Sequence, residues 1–157
     1  MKTLIIYYSQ SGHTGWAAEK IAAACGGDLL EIKTVKSLPG GNLAKHFWGG
    51  KQVFTGEKPE LLPLTKDAAD YDLIFIGTPV WAFSYAPALK TFLSRTKISG
   101  KKIALFLTCD GMPGKTFINL RQALSGNEIL GELALVAPYK DLENNIIKIK
   151  NWLTNIL

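Results

Sequence analysis

Three hydroxyl side chains, Ser9, Ser11 and Thr14, crowd around Gly12 in the stretch SQSGHTG, after an apolar run and before an amphipathic one. Hydroxyls donate hydrogen bonds without carrying charge. A glycine among them removes side-chain bulk, so backbone N–H groups can turn toward an anion. A helix start adds further unpaired N–H groups and partial positive charge. That donor set suits a phosphate monoester and needs neither a metal ion nor a lysine. The same residues also make an ordinary serine or threonine cap on a tight turn. The local pattern leaves the two readings level. Gln10 and His13 complete the loop. His13 reads most simply as an exposed residue at the helix start, close enough to a phosphate to matter when protonated.

Two other stretches carry candidate chemistry. TPVWAFSYAP sets Trp81, Phe83 and Tyr85 in one segment, where aromatic rings can form a flat wall for a heterocycle. One or two of these rings are expected only to pack the segment onto the domain, Phe83 in particular. Trp48 is a candidate for a second wall or cover. In CDGMPGKT, Cys109 has no base placed beside it, since His13 and His46 are the only histidines, so it reads as a small apolar residue. Asp110 and Gly111 suggest a turn that exposes backbone donors to a ligand edge. The same stretch mimics a nucleotide phosphate loop through Gly114, Lys115 and Thr116, but Cys109 stands where the first glycine is required. No G-x-G-x-x-G follows the first apolar run. No Ser–His–Asp order, paired carboxylates or metal-ligand spacing stands out.

These stretches have to be held by the elements between them. Thr3–Tyr8, Asp28–Lys33, Asp72–Gly77, Lys102–Thr108 and Ile129–Ala137 read as strands. Helical spacing marks Thr14–Cys25, a segment from Pro87 with Leu89, Phe92 and Leu93 apolar, Phe117–Leu124, and Leu142–Leu157 with Ile146, Ile149, Leu153 and Ile156 inward. Residues 34–68 are the least regular part, with a short helix expected around Ala44–Trp48. Strands alternating with helices, the central ones apolar on both faces, predict a parallel sheet covered on both sides. In such a sheet ligands bind beyond the carboxyl ends of the strands. Ser9–Thr14, Thr78–Ser84 and Cys109–Lys115 all lie there, and their convergence tips the first loop toward phosphate binding.

Composition bounds the rest. A chain of 157 residues with 47% hydrophobic side chains suits one domain, residues 1–157, with a substantial core. The two cysteines are far apart and suggest neither a disulfide scaffold nor a zinc site. The short apolar start lacks the form of a signal peptide, and no apolar run nears the roughly 18 residues of a membrane span. The expectation is a cytoplasmic protein without a membrane span. A net charge of +5 permits an acidic partner, but the lysines are dispersed and no basic–aromatic interleaving suggests nucleic acid.

Over essentially its whole length the chain resembles the flavodoxin-like family of FMN proteins. The family's hydroxyl-x-hydroxyl-Gly-x-Thr loop is matched by Ser9, Ser11, Gly12 and Thr14, and its G-[ST]-P-[VI]-[YW] stretch by Gly77, Thr78, Pro79, Val80 and Trp81. The resemblance, closest to small bacterial short-chain flavodoxins, implies a three-layer, doubly wound, five-stranded parallel sheet in the order 2-1-3-4-5. It implies FMN as cofactor, with its phosphate on Ser9–Thr14 and its ring system against Thr78–Phe83, Trp81 foremost. Cys109, Asp110, Gly111 and Met112 would lie along the pyrimidine edge. The implied activity is electron transfer with redox partner proteins; the alternatives are an FMN-dependent NAD(P)H:quinone or flavin reductase, and a flavin-free binding or regulatory domain. Two features depart from the family: His13 stands where asparagine is usual, and the chain is basic where flavodoxins are acidic. The charge predicts a less negative potential for full reduction of the flavin and a partner with an acidic docking face.

Overall fold

The computed structural model describes residues 1–36 and 58–157. Strand β1 (Thr3–Tyr7) is buried along its whole length. It pairs in parallel with β2 (Asp28–Glu31) on one side and with β3 (Leu73–Trp81) on the other. β4 (Ser84–Tyr85) folds back on β3 as a short antiparallel hairpin strand. β5 (Lys102–Cys109) pairs with β3, and β6 (Glu128–Val136) closes the far edge. The order β2-β1-β3-β5-β6 is the expected 2-1-3-4-5 arrangement of parallel strands, with β4 as an addition.

Alternation along the strands sorts the core into two layers. Leu4, Ile6, Ile74, Ile76, Ile103 and Leu105 face α2 (Pro87–Arg95) and α3 (Thr116–Ala123), meeting Leu89, Phe92 and Leu120. Ile5, Leu73, Phe75, Ala104 and Phe106 face α1 (His13–Cys25) and α4 (Leu142–Thr154), meeting Ala17, Ile21, Ile149, Trp152 and Leu153. Phe75 and Phe106 are fully buried, and truncating either to alanine would cost about 3–5 kcal/mol. The last helix, expected to reach Leu157, ends at Thr154; Ile146 and, beyond its end, Ile156, both expected inward, are only partly buried, whereas Trp152 and Asn145 take inner positions.

Local chemistry sets the helix ends. Gly26, at φ 67°, ends α1 and donates its N–H to the Ala22 carbonyl. Pro87 occupies the first turn of α2, where a missing N–H costs nothing. Asp141 caps α4 by accepting from the Asn144 N–H at 3.0 Å. A short 3-10 turn, Ala68–Asp70, precedes β3. The helix expected around Ala44–Trp48, and Trp48 itself, lie outside the described residues. No helix among those described is long and apolar enough to cross a membrane.

One boundary differs in a way that matters. The sequence suggests that the third strand ends at Gly77, but β3 runs on through Thr78, Pro79 and Val80 to Trp81. β1 stops opposite Gly77, so beyond that point β3 has a neighbouring parallel strand on one side only. Proline is tolerated in such an edge position because its missing N–H breaks no ladder. β1 and β3 also diverge there in connectivity, which opens a crevice at the carboxyl end of the sheet.

Candidate functional site

The loop from β1 into α1 forms one wall of that crevice. Gly12 is the residue before the helix, at φ 91°, a conformation that costs little only for glycine. No side chain caps it and no acidic residue sits in the first turn. The N–H groups of Ser11, Gly12, His13 and Thr14 donate to no described residue. Ser9 Oγ instead accepts from the Gly15 N–H, one turn in, at 3.0 Å, leaving its own O–H free to donate. The buried Thr14 hydroxyl shares a 2.7 Å hydrogen bond with the Thr108 hydroxyl and so ties the helix start to β5. Ser9 thus caps one first-turn donor, the Gly15 N–H, while those of His13 and Thr14 find no partner among the described residues. The Gln10 side-chain nitrogen is buried without a partner among the described residues, a costly arrangement unless an acceptor arrives.

The second wall comes from the β3–β4 hairpin. Trp81 pairs with Ser84, so Ala82 and Phe83 alone make the turn, at φ 47° and 63°. Two left-handed residues suit the twist of a hairpin, but Asn–Gly is the usual choice there. Thr78 shapes the segment: its hydroxyl donates to the Pro79 carbonyl and accepts from the Ala86 N–H, which leads into α2. Trp81 is 9% exposed and packs edge-on against Tyr8, with ring centroids 5.6 Å apart. Burial pushes the Tyr8 hydroxyl up to about 12, so it stays protonated and neutral. Phe83, expected to pack inward, is 63% exposed, because the tip of a two-residue hairpin projects away from the sheet.

The third wall lies beyond β5 and β6. Ala137, at φ 43°, donates its N–H to the Cys109 carbonyl at 2.7 Å and turns the chain into Pro138 and Tyr139. The Tyr139 ring lies 5.1 Å from the His13 ring at 32°, so the ends of β1 and β6 meet over the crevice. The Asp110 carboxylate, followed by partial desolvation, raises the Tyr139 hydroxyl above its ordinary value. Burial raises the Cys109 thiol, whose Sγ lies 3.5 Å from the Gly111 carbonyl, and this keeps it a thiol and a poor nucleophile.

Together these walls enclose a cleft of about 270 Å³. Of the residues singled out from sequence, Gln10, Ser11 and His13 line it, as do Pro79, Val80, Trp81, Cys109 and Asp110. Ser9, Gly12 and Thr14 stand behind the lining, where they shape or fasten the first loop. Thr78 supports the hairpin, while Phe83, Gly111 and Met112 lie outside the cleft on exposed turns. The sequence reading missed Thr108, Pro138 and Tyr139 in the lining. The strand-end rule that selected the other loops would have found Pro138 and Tyr139 had it been applied to the last strand. The assembled site can accept an anion on neutral donors beside a flat aromatic wall. Among the described residues it presents no base placed to activate a nucleophile.

The profile of the flavodoxin family matches residues 2–156. A flavoprotein from Lactobacillus acidophilus, solved in complex with FMN, is 28% identical with a TM-score of 0.75, covering 97% of this chain and 98% of that one. A chain from Bacteroides eggerthii, provisionally named a flavoprotein, is 25% identical with a TM-score of 0.81, covering 98% and 96%. A chain from Klebsiella pneumoniae, provisionally named a quinone reductase, shares the fold at 15% identity and a TM-score of 0.62, covering 99% and 85%.

Proposed function

The chain belongs to the flavodoxin family, and on that premise we propose that it binds FMN in the strand-end cleft and carries electrons between partner proteins. The observation that carries the reading is the first loop: among the described residues four N–H groups, the O–H of Ser9, the hydroxyl of Ser11 and the buried Gln10 amide nitrogen have no acceptor. An orphaned buried donor next to a helix start fits a phosphate monoester better than it fits an empty turn. When bound, FMN supplies the one- and two-electron chemistry. The protein's part is to hold and surround it. Ser11–Thr14 would hold the phosphate by backbone donors, with His13 the nearest side chain able to add charge. Pro79, Val80 and Trp81 would form the wall for the ring system, and Asp110 would be the one carboxylate of the lining among the described residues. Burial raises the Cys109 thiol, which weakens it as a nucleophile.

The test is an absorbance spectrum of the purified protein with and without added FMN. Flavin bands that shift on binding support the reading. A colourless protein that ignores FMN overturns it and favours a flavin-free role. Steady NAD(P)H oxidation by the loaded protein, with a quinone or free flavin as acceptor, would replace the carrier by a reductase.

A further inference from the structure

We propose that Phe83, with Lys115 beside it and Met112 exposed on the same adjoining turn, is a docking knob for a redox protein that offers an apolar socket rimmed by carboxylates; this rests on the electron-carrier reading. Phe83 is 63% exposed and Met112 is 73% exposed, both on turns next to the cleft but outside it. An exposed phenylalanine on a floppy loop would mean little. This one is held. Its φ is 63° and that of Ala82 is 47°, a turn that would suit glycine or asparagine far better. Strain of that kind persists only where the surroundings over-determine it.

The surroundings do so here. The Phe83 carbonyl accepts from the Lys115 N–H at 2.8 Å. Gly114 lies so close that a Cβ on it would meet three Phe83 atoms at 2.7–2.8 Å. From the other side, the Asn119 amide donates to the Ser84 hydroxyl at 2.9 Å. The hairpin tip is therefore clamped to the Cys109–Lys115 turn and to α3, with its ring directed into water. Nothing within the described chain compensates for that exposure, whereas burial against a partner would.

Charge selects the partner. Lys115 is exposed and makes no ion pair among the described residues; it and Asp110 are the two charged residues of Cys109–Lys115, and the chain as a whole carries +5, which sets the sign of the long-range attraction. A carboxylate-rimmed face is attracted to such a surface and a basic one is repelled.

The experiment mixes oxidised, FMN-loaded protein with a chemically reduced, acidic [2Fe–2S] ferredoxin in a stopped-flow instrument. Each productive encounter oxidises the iron–sulfur cluster by one electron and reduces the flavoprotein by one. We expect the second-order rate constant to fall as ionic strength rises. Phe83→Ala should lower it about tenfold at every ionic strength, as loss of an interface anchor does. Lys115→Glu should lower it at low salt only, and Phe83→Tyr should retain most of the rate. At high ionic strength, where its positive charge is screened, electron uptake from a reduced viologen, which needs no docking face, should be the same in all four proteins. An unchanged rate in Phe83→Ala overturns the knob, as does an equal loss with the viologen, a rate that rises with salt, or a homodimer that Phe83→Ala dissolves. If neither donor reduces the loaded protein while NAD(P)H does, the carrier reading falls and takes the knob with it. Ferredoxin rates that ignore Phe83 leave the carrier reading standing and remove only the knob.

Discussion

Gly114→Ala isolates the clamp between the hairpin and the Cys109–Lys115 turn. Two costs add. Gly114 has φ 57°, and holding alanine in the left-handed region costs about 1–2 kcal/mol. The new methyl would also stand 2.7–2.8 Å from the Cβ, Cα and carbonyl oxygen of Phe83, where 3.4–4 Å is ordinary contact. Two of those atoms belong to backbone, so the two turns must separate. Separation stretches the 2.8 Å bond from the Lys115 N–H to the Phe83 carbonyl, worth about 1 kcal/mol net. The expected loss is about 3 kcal/mol, a large share of the roughly 5–15 kcal/mol that holds a domain folded. Gly12→Ala is the control, since Gly12 has φ 91° but nothing within 4 Å of its would-be Cβ. It should lose only the backbone part, about 1–2 kcal/mol. Urea unfolding of the flavin-free protein reads both. Because the clamped segments carry Trp81 on one side and Cys109 and Asp110 on the other, FMN affinity measured by fluorescence quenching should also fall in Gly114→Ala. Equal stability losses in the two variants would refute the steric argument, and an unchanged FMN affinity would refute the coupling to the cleft.

Other outcomes follow from the same geometry. Thr108→Val strands the buried Thr14 hydroxyl and should destabilise by about 1–3 kcal/mol in urea unfolding, with Thr14→Val added to it restoring part of the loss. The Asp28 carboxyl is held below its ordinary value chiefly by the Tyr71 hydroxyl at 2.7 Å, with desolvation opposing and Lys66 and Lys2 adding to it. A lowered folded value means stability present above the unfolded value near ~3.9 and lost as pH falls through the folded one. The gap in urea midpoint between the native chain and Tyr71→Phe should therefore be open at pH 6 and close in acid. Burial raises the Cys109 thiol, so iodoacetamide should modify it at pH 7 more slowly than a free cysteine, and more slowly again with FMN bound. With a charge of +5 and one carboxylate among the described residues of the lining, a potentiometric titration should place full reduction of the flavin at a less negative potential than in acidic flavodoxins. A value at the bottom of the flavodoxin range would refute that reasoning.

The alternation of apolar runs with helical spacing carried the architecture, because period-two and period-3.6 burial are properties of the chain itself. The helix end at Gly26 and the start at Pro87 were legible for the same local reason. So were Gln10, Ser11, His13 and Trp81, since strand-end loops of a parallel sheet converge whatever their sequence. Other features depended on contacts between distant segments. The continuation of β3 to Trp81 follows from where β1 stops, which no run of residues near Pro79 encodes. Thr14 looked like a free hydroxyl until β5 brought Thr108 to within 2.7 Å of it. Phe83 looked like packing because it is apolar, yet the left-handed turn sends it outward, and the glycine that permits the clamp lies some thirty residues on, at Gly114. Sequence by itself determined which residues prefer burial and where the chain turns. Tertiary structure decided which polar groups were left without partners, because a hydrogen bond or a close backbone approach exists only once two remote segments share the same space.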